Sequence, residues 1–460
     1  MQDTKIYDQL LLGHVVLHDC EIPKGYVAIH GGLVADVGDA TSGHPEASVV
    51  EDFGSNFLLP GCIDAQTHSR SQKDNEDFIW STRTAAAGGV TTIVDMPYDA
   101  GLLICNAERF NQKKQQAAEQ ARVDFALYGT AHPEEGSTKL AELAEAGAIG
   151  YKFSTFGTDP DRFPRIPPYQ MHDCFKTVAE LGLVCGVHNE DDESVKHLIE
   201  QVKAQGKRDY QSHTLSRPKY TENLAIAQVY ELGADTGCRA HIVHCSNKRG
   251  IDICKSFQDQ GFESTTEVCL HYFTLCEEED VARLVGKGKV NPPIRDGAER
   301  EALWQHLDQG NITAVSTDHV SWSEDRKNKP NMFENASGAT GLELLLTLML
   351  TGAEARDIAF HKVVKALSWN VARLFKLDNC KGALEVGKDA DIAVVRREPY
   401  QYKATSSGHS FTDWSPYDGR TVNYRVSKTM LRGQWIFDGK DVLAEPGSGQ
   451  FVSPLTKRAN

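Results

Sequence analysis

Five short segments of the chain carry side chains that can ligate a metal ion or move a proton, and each closes an apolar, strand-like run. The first is Pro60-Gly61-Cys62-Ile63-Asp64-Ala65-Gln66-Thr67-His68. Alternate residues of a strand share a face, so Gln66 and His68 point the same way. Taken by itself, this segment reads equally as a polar loop after a strand. The second is Lys152, inside the apolar run Ala148–Phe153. A lysine there is costly unless its charge is paired, removed or snorkelled to the surface. Carboxylation by CO2 would remove the charge and turn the amine into an anionic oxygen ligand able to bridge two metals. The third and fourth are His188 and His244, each ending a short apolar run. A lone histidine at such a place is commonly structural. Two at successive strand ends, with a lysine one strand earlier, point to a metal site. The fifth is Asp318, after Thr313–Thr317. It is placed to ligate a metal and to take a proton from water, or to act as a helix cap or ion-pair partner.

These groups need a scaffold that brings successive strand ends to one face. From Leu58 onward, apolar strands alternate with helical stretches. Strands are expected at Thr91–Asp95, Ile149–Phe153, Val184–His188, Ala240–His244, Glu263–Glu267 and Ile312–Thr317. Helices are expected at Asn75–Ala87, Ser137–Ala146, Tyr169–Leu181 and Tyr220–Leu232. That alternation over most of the chain predicts an α/β fold with a parallel sheet, and its length suits a (β/α)8 TIM-like barrel, whose catalytic groups lie at the C-terminal strand ends. Both chain ends are β-rich. Tyr7–Leu17, Gly25–Ile29 and Leu33–Val37 read as strands with a Gly31-Gly32 turn, and Ala390–Val395, Val422–Val426 and Lys428–Leu431 read likewise. The division expected is a small β-sandwich domain from residues 1–58 and 376–460 around a barrel at 59–375.

Composition narrows the class. The chain has 460 residues, 40% hydrophobic and 25% charged, and a net charge of −15. Such an acidic chain lacks the basic surface that nucleic-acid binding requires. No apolar run approaches the ~20 residues that span a bilayer, and the first twelve residues lack a secretory pattern. Eleven scattered cysteines with no CxxC pair predict reduced, mostly buried thiols in a cytoplasmic protein.

With these residues in place, the chain resembles the cyclic amidohydrolases: allantoinase, hydantoinase/dihydropyrimidinase and dihydroorotase. The resemblance covers nearly the whole length. The family's opening Pro-Gly-x-Ile-Asp-x-His-x-His is matched by Pro60 to His68, its carboxylated lysine by Lys152, its single histidine ligands by His188 and His244, and its catalytic aspartate by Asp318. Ala85–Pro97, Glu267–Leu275, Asn291–Arg295 and Lys381–Val394 match as well. Ser415–Arg420 and Lys428–Gly433 look most like allantoinases. The chain departs from the family at Gln66, which replaces the first histidine of the pair. A neutral amide binds zinc more weakly than imidazole, so the second of two metal positions is expected to be weakened.

The resemblance implies hydrolysis of a carbon–nitrogen bond in a small cyclic amide or ureide. The implied cofactor is one or two divalent ions, zinc foremost. Hydroxide on the metal is the implied nucleophile, and Asp318 the general base and then acid. Arg70, Tyr98, Asn291, His319 and Trp322 are the expected substrate contacts, with Arg70 alternatively paired to Asp74 or Glu76. A homo-oligomer, dimer or tetramer, is implied. Hydantoinase-, dihydropyrimidinase- or dihydroorotase-type substrates stand as alternatives to an allantoinase-like one, and so does a non-catalytic scaffold that kept the fold and lost one ligand.

Overall fold

The computed structural model describes residues 6–72 and 76–455. Eight parallel strands form a ring: Cys62–Thr67, Val90–Asp95, Asp124–Leu127, Gly150–Ser154, Val184–His188, Arg239–Ile242, Ser264–Cys269 and Ala314–Ser316. Regular ladders join the first three and the last five. Two parallel bridges close the circle, Gly129 with Tyr151 and Thr67 with His319. At the second closure His68 N–H donates to His319 O at 2.9 Å. The barrel expected from the alternation is therefore closed, and its strands are buried on both faces, as parallel strands wrapped by helices must be.

The helices begin where their sequences provide caps. Asp77, Asn106, Asp191, Asn247 and Asp296 each accept a backbone N–H at a helix start. Gly147, Gly182 and Gly237 end helices in the left-handed conformation.

Both chain ends meet in one seven-stranded sheet, ordered Gln434–Phe437, Thr421–Leu431, Ile392–Gln401, Ala47–Pro60, Tyr7–Val16, Glu21–His30, Leu33–Asp39. The sheet curls so that Leu33 bridges Asp389, enclosing Leu11, Val27, Leu58, Ile392 and Met430 in a shared core. Gly31 and Gly32, at φ 60° and 78°, make the hairpin turn between the last two strands. The two C-terminal runs expected separately are one strand, Thr421–Leu431, with a register shift between Val426 and Lys428. A bulge there breaks the alternation that marks a strand in sequence. Among the described residues no helix is long and apolar enough to cross a membrane.

The curled sheet and the barrel share a buried ionic knot. Lys381 Nζ reaches Asp124 at 2.5 Å, Asp391 at 2.7 Å and Asp389 at 2.9 Å, and Arg432 completes the pairing on Asp124. Asp124 opens the third barrel strand, and Arg432 follows Thr421–Leu431. Lys381→Met would leave three buried carboxylates with one cation. It is expected to lower unfolding stability by about 3–5 kcal/mol, read by denaturant melts. A change within error would show that the knot is not a structural tie.

Candidate active site

The C-terminal strand ends bring together the segments singled out in the sequence. Gln66 and His68 converge on one oxygen of Asp318: Gln66 Nε2 donates to Oδ1 at 2.8 Å, and His68 Nε2 lies 3.3 Å from it. The shared strand face thus holds. Asp64, two residues before Gln66, ties the first strand to the eighth by accepting from Thr317 N–H at 2.7 Å and its hydroxyl at 2.8 Å. Burial pushes the Asp64 carboxyl up to about 7 against those hydrogen bonds. Burial also pushes Asp318 up, but the hydrogen bond and charge of His68, with His244 and His271, outweigh it and hold the carboxyl at about 2.

His244 and Asp318 each stand two residues beyond their strands, in the left-handed region at φ 40° and 48°. Strain of this kind collects at functional sites. Here the turned backbone brings both side chains into the lining of one cavity. His188 Nδ1 lies 3.0 Å from His244 Nε2. The far nitrogen of His188, Nε2, contacts Glu190 Oε2 at 2.8 Å, and Arg217 Nη1 donates to the same oxygen at 2.6 Å. That pairing puts the proton on Nε2 and aims the Nδ1 lone pair at His244. Burial lowers the pKa of both imidazoles, so both are neutral near pH 7.

Lys152 lies beneath them, 1% exposed. Its ammonium faces the rings of Phe163 at 5.2 Å and Tyr98 at 5.7 Å, and donates to Phe153 O at 3.2 Å. Burial drives its pKa down to about 7, with the charges of Asp318 and Glu267 opposing. The backbone carbonyl of Lys152 is fixed by Tyr98 Oη at 2.8 Å and Thr130 Oγ1 at 2.6 Å.

The two histidines fit a divalent ion. Imidazole nitrogens that share one zinc at roughly 2.0–2.1 Å must lie within about 4 Å of each other, and the histidine pair satisfies this. The buried Gln66 Oε1 has no hydrogen-bond partner among the described residues, which leaves a neutral oxygen donor beside Asp318.

A cavity of about 490 Å³, ordinary for a small-molecule site, opens over Gln66, His68, His188, His244 and Asp318. Asn291 and Trp322, two of the residues singled out in the sequence, line it, and the Asn291 Oδ1 is buried without a partner among the described residues. Arg70, Tyr98 and His319 are not among its lining residues. The Arg70 guanidinium contacts Asp99 at 3.4 Å and the Gln116 amide. It does not pair with Glu76, and Asp74 lies outside the described residues. Glu76 instead holds His319 Nε2 at 3.0 Å, while His319 Nδ1 accepts from Gly341 N–H at 3.1 Å. Tyr98 supports Lys152 from behind the wall. Sequence reasoning missed Glu190, Arg217, Arg162, Phe163, Lys289 and Arg326. They come from loops and strand-end extensions without periodicity, and only the dense charges of Asp159–Arg165 hinted at them.

A closed (β/α)8 barrel with His68, His188, His244 and Asp318 lining one cavity at its C-terminal face, and a buried lysine whose charge interacts with that aspartate, defines a class of barrel hydrolases. The chain belongs to the amidohydrolase family, whose model matches residues 57–436. It is 33% identical to an allantoinase of Rubrobacter xylanophilus, over 97% of each chain. It is 31% identical to an L-hydantoinase of Paenarthrobacter aurescens, over 94% of this chain and 95% of that one. The solved L-hydantoinase (dihydropyrimidinase) from Arthrobacter aurescens superposes with a TM-score of 0.93 at 30% identity, covering 97% of this chain and 100% of that one. The chain is a hydrolase acting on carbon–nitrogen bonds in cyclic amides.

The environment of Lys152 has a measurable consequence in the metal-free protein. Its amine titrates near 7 when folded and near 10.5 when unfolded. Between those values the unfolded chain binds more protons, so stability rises with pH through the window. Buried thiols such as Cys185 and Cys245, raised by burial, act with the opposite sign above about pH 8.5. The readout is therefore the difference between parent and Lys152→Met in denaturant unfolding. The parent's stability is expected to rise relative to the variant's from about pH 7 upward, with Lys289, depressed in the same way, contributing equally to both. An unchanged slope in the variant would contradict the assignment.

Proposed function

We propose that the chain opens a cyclic amide or ureide ring in an allantoinase-like reaction, with Asp318 as the proton carrier. The observation that carries this is the convergence of His188 Nδ1 and His244 Nε2 beside a carboxylate that Gln66 and His68 hold anionic. His188, His244, Lys152 and Asp318, with His68 and Gln66, would hold a divalent ion, and imidazole-rich donors favour zinc. When bound, the ion supplies Lewis acidity that polarises a carbonyl and acidifies water.

The chain's own residues do the rest. Asp318, ionised down to about pH 2, takes the proton of the attacking water and delivers it to the leaving ring nitrogen. Its two hydrogen-bond contacts fall on Oδ1, so Oδ2 carries neither. Glu190, braced by Arg217, holds His188 in the ligating orientation. Lys152, with a large neutral fraction at pH 7, reacts with CO2 as the free amine: its lone pair forms a nitrogen–carbon bond as one C=O π bond of CO2 opens onto oxygen, one proton leaves the nitrogen, and the neutral amine becomes an anionic oxygen donor. Gln66 gives the second metal position a weaker neutral ligand than the usual histidine. Asn291 and Trp322 face the substrate. The proposed division is the barrel at 59–375 and the curled sheet from 1–58 with 376–460. We further propose a cytoplasmic homo-oligomer, dimer or tetramer; the eleven free cysteines, ten of them buried, support a reducing compartment.

The test is ring opening of allantoin, hydantoin, dihydrouracil and dihydroorotate by protein reconstituted with zinc or manganese and bicarbonate. Metal-dependent turnover of one of these rings is expected. Asp318→Asn should lower kcat by roughly 10²–10⁴-fold with the fold retained. Glu190→Ala should weaken metal retention by about 10–100-fold, read by dialysis and elemental analysis. No turnover across the panel, from a protein that also fails to keep metal, would establish the scaffold reading instead.

A further inference from the structure

The mouth of the cavity inverts the charge of the molecule. On a chain of net charge −15, its lining includes Arg162, Lys203, Arg217, Lys289 and Arg326. Two of these are committed: Arg217 to Glu190 at 2.6 Å, and Lys203 to Glu200 at 3.0 Å. Lys289 donates to the carbonyls of Asn335 and Phe333. Arg162 and Arg326 form no ion pair with a carboxylate among the described residues. Their guanidinium carbons lie 5.7 and 4.9 Å from the centre of the Trp322 ring, and Trp322 is itself fixed by donating to Ser337 O at 2.8 Å. Arg162 Nε donates to Tyr98 O at 3.2 Å, which leaves its terminal nitrogens uncommitted. Oδ1 of the nearby Asp159 accepts the N–H groups of Asp161 and Arg162, and the charges of Asp99 and Asp159 act on Arg162 from beyond ion-pair distance.

Two like charges drawn to one aromatic ring at the rim repel each other, and an anion between them relieves that repulsion. Phe163 links rim to floor: it follows Arg162 in sequence, and its ring meets His188 edge-on at 5.6 Å. Arg162 and Arg326 line the same cavity as His188, His244 and Asp318, so a ring reacting there has room for an exocyclic substituent that reaches the two arginines. We infer that Arg162 and Arg326, framed on Trp322, bind a carboxylate carried as a substituent on the cyclic amide substrate. Planar guanidinium groups suit a carboxylate better than any neutral group. This rests on the cyclic-amide reading and deepens it by naming the substrate class. It also moves anion recognition away from Arg70, whose guanidinium is held by Asp99 and Gln116.

The experiment compares kcat/KM of the metal-reconstituted enzyme for paired rings, hydantoin-5-acetate against hydantoin and dihydroorotate against dihydrouracil. The acidic member of at least one pair is expected to lead by about 10-fold or more, as a charge-assisted hydrogen bond allows. Its advantage should shrink as salt rises from about 50 to about 500 mM, and should collapse in Arg162→Met/Arg326→Met. Equal or better use of the neutral rings overturns the inference and leaves the hydrolase reading standing. An unchanged acid-to-neutral ratio in the double variant overturns it too, and altered product inhibition alone would assign the arginines to the released acid. Calorimetric titration with hydantoin-5-acetate separates the two claims if no ring opens. Binding lost in the double variant supports the clamp without the chemistry, and absence of binding overturns the clamp.

Discussion

A primary amine enclosed by aromatic rings at the centre of a barrel, with a backbone carbonyl as its hydrogen-bond acceptor, is the constraint around which this site is built. Keeping Lys152 charged there would cost several kcal/mol. The fold lowers its pKa towards neutrality and surrounds it with groups that suit an anion and a cation together: neutral imidazoles on one side, an ionised carboxylate on the other. An arrangement that penalises the free ammonium and would welcome a carbamate with a divalent ion is the reason to read the centre as chemical rather than structural.

The barrel must be closed for this to work, and the closing contacts belong to the same residues. At the seam between the eighth and first strands, His68 N–H donates to His319 O and His319 N–H donates to Gln66 O, and Asp64 grips Thr317 one residue before Asp318. Breaking that seam would separate Asp318 from Gln66 and His68, so fold closure and the state of the proton carrier are coupled. At the opposite end, the Lys381 knot ties the third strand to the curled sheet, which joins the two chain ends to the barrel without touching the cavity. Stability and chemistry thus occupy different ends of the barrel.

Much of this was legible in the residues. Runs such as Val184–His188 are apolar on both faces, and their final histidine or aspartate is conspicuous against that background. Asp124–Leu127 was not read as a strand because it has four residues and opens on a carboxylate. Ala47–Pro60 was missed because its first half is exposed and charged. The set of ligand candidates came from strand ends, where position follows from alternation. The rim followed no such rule. Arg70 stands two residues from His68, yet its direction is set by Asp99 and Gln116, which sequence spacing does not reveal. Arg162 and Arg326 arrive from separate loops and meet only through Trp322.

The most direct measurement is carbon-13 NMR of the protein reconstituted with zinc and labelled bicarbonate, beside Lys152→Ala treated in the same way. The account predicts a carbamate resonance in the parent protein that is absent from the variant and that accompanies ring-opening activity. A protein that binds zinc and opens rings without that resonance would contradict it, and would return Lys152 to the role of a neutral packing residue.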